Sequence, residues 1–211
     1  MTRSELQSPE LDAVEIHGTT RAGFIMRGAL AAGAAYGASA ATPFVRDAFA
    51  SSGGGDIDIL NFALTLEYLE SDFYLHKAKS VALSGEAKSL AAMFGEQEQA
   101  HVRALMTTIR HAGGTPVKKP SFMFPATDQA SFLKLAYTLE NVGVSAYNGA
   151  APSITNREIL AAAGSIVQIE ARHAAAIGLL IHKPVTPDGP FDVPLSKSKV
   201  LAKAGPLISK G

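Results

Sequence analysis

The sequence predicts an all-α fold: a four-helix bundle made from two copies of a helical hairpin, with one long crossover between helices two and three. Three observations carry that expectation. A Glu-x-x-His motif occurs twice, as Glu98-Gln99-Ala100-His101 and Glu170-Ala171-Arg172-His173, and each follows a lone glutamate, Glu67 or Glu140, by 31 or 30 residues. The flanks repeat as well, since ALTLEYLESDFY (Ala63 to Tyr74) aligns with AYTLENVGVSAY (Ala136 to Tyr147) through Ala, Thr, Leu, Glu and the final Tyr. Between the two copies lies a Gly113 to Thr127 connection with three prolines. A helix of 25 residues is ~37 Å long. Fifteen extended residues reach ~50 Å, enough to span the bundle and set helices two and three parallel.

In chain order, residues 1–50 stand apart from the bundle. A polar, acidic leader gives way to Arg21 and Arg27, then to a small-residue, weakly apolar run from Gly28 to Val45. That is the layout of an export signal. Thr20-Arg21-Ala22-Gly23-Phe24-Ile25 resembles a twin-arginine motif whose second arginine is alanine. Ala38-Ser39-Ala40 and Ala48-Phe49-Ala50 both fit small-x-small cleavage, the second followed by SSGGGD, a flexible mature terminus. Leu, Ile and Phe drive membrane insertion far better than Ala and Gly, so no stable membrane span is expected here or elsewhere. The expected destination is periplasmic, cell-envelope or extracellular.

Residues 51–183 read as the bundle, with helices over Ile57 to Lys79, Glu86 to His111, Asp128 to Gly149 and Asn156 to Lys183. Apolar residues recur every three or four positions in each, as in Leu60, Ala63, Leu64, Glu67, Ser71 and Tyr74. The hairpin turns fall near Leu83 and Thr155, midway between paired glutamates, so both members of a pair lie at similar heights. Thr155 to Glu158 reads as a capping box, and Gly113-Gly114 with Pro116 closes the second helix. Residues 184–211 hold five prolines and SKSKVLAKAG, and predict an extended arm that ends in a short helix. A homodimer contact is an alternative use of that tail.

Composition bounds the function. With 211 residues and 47% apolar content the chain builds one ordinary core with sequence to spare. Zero formal net charge gives no footprint for nucleic acid. The absence of cysteine excludes disulfides, thiolate ligands and an iron–sulfur or rubredoxin-type centre.

Three-residue spacing puts Glu and His on one helix face. Two such pairs with two lone glutamates form the ligand pattern of a dinuclear site in a bundle core: Glu67, Glu98, His101, Glu140, Glu170 and His173. Four carboxylates and two imidazoles suit iron(II) or manganese(II), and four negative charges balance two divalent ions. Without metal, the converging carboxylates repel and desolvate one another, which raises their pKa values.

The pattern resembles the ferritin-like di-iron carboxylate superfamily over about Asp56 to Lys183. The flanks NFALTLEYLESDFY and LENVGVSAYNGA, with the tail FDVPLSKSKVLAKAGPLI, look like its exported bacterial branch related to plant desiccation-associated proteins. The resemblance implies a bundle with two iron or manganese ions, Glu98 and Glu170 bridging, Glu67 and Glu140 terminal, and one ion on each histidine. For this branch it implies no established reaction.

Other residues read more plainly. Glu96 is expected at the surface, and so is Glu70, with an outer ligand one turn after Glu67 as its alternative. Tyr74 and Tyr147 are expected in the packing at the ends of the core, with hydrogen-bond partners of the ligand glutamates or redox-active phenols as the alternative. His76, His111 and His182 are expected at helix ends or the surface. Met93, Met106 and Met123 read as core or loop filling. Two function classes follow. One is an exported redox enzyme with dioxygen or peroxide as substrate, acting as a ferroxidase, peroxidase or catalase-like scavenger. The other is a non-catalytic metal-binding or structural protein of the envelope that protects against drying or oxidative stress.

Overall fold

The computed structural model describes residues 55–209. The leader and export-signal reading of residues 1–50 lies outside them. Helix α1 (Asp56–Asp72) continues through a π-helical turn, Phe73–Lys77, and a last α turn, Ala78–Ser80. Helix α2 (Gly85–His111), strand β1 (Ser121–Phe122), α3 (Gln129–Ala150), α4 (Arg157–Leu180), α5 (Lys197–Ala204) and β2 (Ile208–Ser209) follow. The long helices α1 to α4 make an all-α, ferritin-like bundle in which α1 packs on α2 and α3 on α4.

Polar contacts trace the crossover. It leaves α2 at Gly113, whose φ of 80° is open to glycine, while the Gly114 N–H donates to the Ile109 carbonyl at 2.8 Å. The chain then climbs α1. Asn61 donates to the Thr115 carbonyl at 3.1 Å and accepts from the Val117 N–H at 2.8 Å, and Lys119 pairs with Asp72 further along. At the top, Gln129 at the start of α3 accepts from the Ser84 N–H just before α2, at 2.8 Å. Helices α2 and α3 therefore start at the same end and run parallel.

The caps explain where α3 and α4 begin. Asp128 and Ser131 form a reciprocal box, with the Ser131 N–H donating to Asp128 Oδ1 at 2.8 Å and the Asp128 N–H to Ser131 Oγ at 3.1 Å. At α4 the expected Thr155 to Glu158 box is replaced. Asn156 Oδ1 accepts from the Glu158 and Ile159 N–H groups at 2.8 and 3.2 Å. Thr155 is used elsewhere, donating its hydroxyl to Asp56 Oδ2 at 3.0 Å and so tying the α3–α4 turn to the start of α1.

The C-terminal arm lies along α3. Its Leu195 N–H donates to the Ser145 carbonyl at 2.9 Å, and Tyr137 donates to the Pro184 carbonyl at 2.8 Å. Gly149 is required beneath it, because a Cβ there would lie 2.0 Å from the Leu195 carbonyl oxygen. Val200, Ala204 and Leu207 bury into the core, and β2 pairs antiparallel with β1 of the crossover, Phe122 opposite Ile208. Among the described residues no helix is long and apolar enough to cross a membrane.

The interior has two apolar clusters. One gathers Leu69, Phe73, Phe94, Phe132, Leu139 and Ile177; the other gathers Leu60, Leu64, Leu105, Ile109, Ile159 and Ile166. Every long helix contributes to both. Met93 does not belong to this core: it is 45% exposed, and Met123 is 68% exposed.

Candidate metal centre

Glu67, Glu98, Glu140 and Glu170 are each fully buried, one per long helix, and together they form a polar layer inside the bundle. His101 and His173, one helical turn after Glu98 and Glu170, point the same way. His101 Nδ1 lies 3.2 Å from Glu67 Oε2, 3.1 Å from Glu98 Oε2 and 3.0 Å from Glu170 Oε1. His173 Nδ1 lies 2.9 Å from Glu98 Oε1 and 3.3 Å from Glu140 Oε2. Two groups result, Glu67–Glu98–His101–Glu170 and Glu98–Glu140–Glu170–His173, each with ligand-type atoms within 4.8 Å of one another. Glu98 and Glu170 belong to both.

The residues fit metal ions on the evidence of their own atoms. Glu98 Oε1, Glu140 Oε2, both Glu170 oxygens and His173 Nδ1 are buried without a well-oriented hydrogen bond, the carboxylates sharing only the two imidazoles as ion-pair partners among the described residues. Buried carboxylates without partners are strongly disfavoured, and a cation shared among them supplies the missing contacts. In the metal-free protein protons do part of that work. Burial pushes the Glu67 carboxyl up to about 7 against the opposing pull of His101, and raises Glu140 and, well above the ordinary range, Glu170. Burial lowers both imidazoles, but the surrounding carboxylates outweigh it and push His101 up to about 12 and His173 to about 10.

Supporting contacts cross between the hairpins. The Tyr74 hydroxyl on the α1 rod donates to Glu140 Oε1 at 2.5 Å, and the Tyr147 hydroxyl on α3 donates to Glu67 Oε1 at 2.5 Å. These tyrosines do more than pack: each fixes the lone glutamate of the opposite hairpin. They remain phenols, since burial and then the facing carboxylate raise both well above their usual range. Tyr74 sits on the π turn, which approaches α2 so closely that a Cβ on Gly95 would lie 3.2 Å from Tyr74 Cβ.

Of three further residues near the centre, sequence reasoning passed over two and offered the third, Glu70, only as the lesser alternative. Gln97 Oε1 lies 2.6 Å from His173 Nε2, and the Phe94 ring stacks on the His173 ring with centroids 3.9 Å apart. With Nδ1 facing the carboxylates, an Nε2–H donated to Gln97 holds the His173 ring in that orientation. Glu70 is the third, and it corrects an expectation: it is 2% exposed, not a surface residue. Its signal was the repeat itself, in which Glu70 aligns with Gly143. Glu96 is exposed, as are His76, His111 and His182.

A family model described as a ferritin-like domain matches residues 55–183. Among solved structures, one of ferritin-like, diiron-carboxylate proteins from Bacillus anthracis is 26% identical with a TM-score of 0.53, over 60% of this chain and 94% of that one. A conserved hypothetical protein from Mycobacterium tuberculosis is 19% identical with a TM-score of 0.55, over 60% of this chain and 90% of that one. No curated protein sequence matches the chain.

Proposed function

Because the chain belongs to the ferritin-like domain family, we propose that it holds a dinuclear iron or manganese centre and uses it in oxygen, peroxide or iron redox chemistry. The observation that carries this reading is the pair of buried Glu/His groups sharing Glu98 and Glu170. Shared carboxylates suit bridging, Glu67 with His101 and Glu140 with His173 complete one position each, and the ligand charge balances two divalent ions. The diiron-carboxylate description of the Bacillus anthracis structure supports the same assignment.

When bound by Glu67, Glu98, His101, Glu140, Glu170 and His173, such a centre would supply redox chemistry toward dioxygen or peroxide. The protein's part is positioning and exclusion. Tyr74 and Tyr147 hold the terminal glutamates, Gln97 and Phe94 hold the His173 ring, and the burial of all four glutamates keeps bulk water from them. The chain has no cysteine with which to relay electrons, so peroxide disproportionation, which needs no outside reductant, is the self-sufficient reaction. The leader of residues 1–50 supports action outside the cytoplasm.

Metal analysis of the full chain, followed by dioxygen and peroxide consumption, tests the proposal. Two iron or manganese ions per chain with turnover support it. Two ions without turnover transfer the reading to a metal-binding or structural protein, and no metal under loading conditions removes the centre altogether.

A further inference from the structure

We propose that Glu70 is a fifth carboxylate of the dinuclear centre, seated in a gap left by Gly143, and that it makes a two-fold site one-sided. The inference rests on the dinuclear reading above and adds to it a residue outside the matched set of six.

Glu67-Tyr68-Leu69-Glu70 on α1 aligns with Glu140-Asn141-Val142-Gly143 on α3. Both segments place a lone glutamate in the layer, and one turn later the first has a second glutamate where the other has no side chain. The gap is specific. A Cβ on Gly143 would lie 3.2 Å from Glu70 Oε1, 3.7 Å from Glu70 Oε2 and 3.5 Å from Glu170 Oε2. The Glu70 carboxylate thus rests against the same backbone point as an oxygen of Glu170, one of the two shared carboxylates. Glutamate at both aligned positions would force two more side chains into one space. Glycine at one makes room for glutamate at the other, at about 0.5–1 kcal/mol of helix stability relative to alanine.

A buried carboxylate needs a partner. Glu70 is 2% exposed, and the ionisable groups that act on it most are Glu170, Glu140, Glu98 and Glu67, one from each long helix and all acidic. Were Glu70 merely filling space, a leucine would do so without adding to that repulsion. A hard, oxygen-preferring cation in the layer accounts for it.

The test is stepwise titration of the metal-depleted full chain with manganese(II), comparing wild type, E70Q and the transplant E70G/G143E, with circular dichroism to verify helicity. E70Q keeps shape and removes charge, and is expected to weaken at least one binding step by about 10–100-fold, the range for residues that support a metal site. The transplant moves the carboxylate to the symmetry-related position and is expected to recover most of that loss. Unchanged affinities in E70Q would overturn the proposal, as would a transplant no better than E70Q. Should E70Q fail to fold, E70L replaces it: leucine fills the buried space without the carboxylate and is expected to weaken binding, and unchanged binding would again overturn the idea. Fewer than two ions on the wild type would instead defeat the dinuclear reading beneath it.

Discussion

The first hairpin, α1 with α2, and the second, α3 with α4, bring the same three residues to the centre, yet they surround them differently. On α2, Gln97 and Phe94 hold His173 of the opposite hairpin. The aligned positions on α4, Ile169 and Ile166, have no polar atom to offer His101. The result shows in exposure, 2% for the His173 side chain against 12% for His101. Glu70 on α1 faces Gly143 on α3. The tyrosines, by contrast, are matched: Tyr74 to Glu140 and Tyr147 to Glu67, both at 2.5 Å. A duplicated bundle can thus keep a symmetric set of candidate ligands and still become two unequal positions, through neighbours that only one copy carries.

The largest expected effect removes what the hairpins share. Glu98→Ala with Glu170→Ala is expected to abolish binding of both ions, measured by elemental analysis after loading; retained binding of two ions per chain would sink the proposed site.

Next comes the unequal support of the histidines. Gln97→Leu is expected to weaken one of the two binding steps by about 10–100-fold and leave the other in place. Ile169→Leu on the opposite side should change neither step by more than a few-fold, and equal effects in a paired titration would erase the asymmetry.

The matched contacts should behave alike. Tyr74→Phe and Tyr147→Phe each delete a buried hydrogen bond to a carboxyl group, expected to cost about 1.5–3 kcal/mol if the acceptor is ionised. Urea denaturation of the metal-loaded protein measures this, and a large difference between the two variants would break the symmetry of the outer layer.

A separate test, read on the metal-free protein, is its pH dependence. Glu67 is raised from 4.5 to about 7 in the folded chain, so between those values the folded state keeps a proton that the unfolded state has released. Its stabilising contribution is full below pH 4.5 and is lost as pH rises through 7. His101 and His173, raised from 6.5 to about 12 and about 10, extend the loss upward. Thermal melts of metal-free protein are expected to give a lower midpoint at pH 8 than at pH 5. Metal affinity should run the other way, because the ligands must lose protons to bind. A metal-free midpoint that rises from pH 5 to pH 8 would contradict the assignment.

How much of this could be read from residues alone follows from the range of each interaction. Glu98-x-x-His101 and Glu170-x-x-His173 are local: a helical turn puts both side chains on one face wherever the helix goes, and the lone glutamates at matched distances point to the other two helices. The parallel arrangement of α2 and α3 was legible in the length of the crossover. Glu70 was only half legible, because a glutamate three residues after another describes an outer ligand as well as a solvated face, and the packing of α3 against α1 is what buries it. The tyrosine contacts depend on that same antiparallel packing. The α4 cap was misplaced by one residue because Asp56, 99 positions away, takes the Thr155 hydroxyl and leaves Asn156 to bind the free N–H groups.

The central claim is one centre shared by both hairpins, and electron paramagnetic resonance of the manganese(II)-loaded full chain tests it most directly. Two ions bridged by Glu98 and Glu170 are expected to give a magnetically coupled spectrum at two manganese per chain, one that collapses to weak or isolated signals in the Glu98→Ala, Glu170→Ala variant. A wild-type spectrum of uncoupled, isolated manganese, however many ions bind, would contradict it.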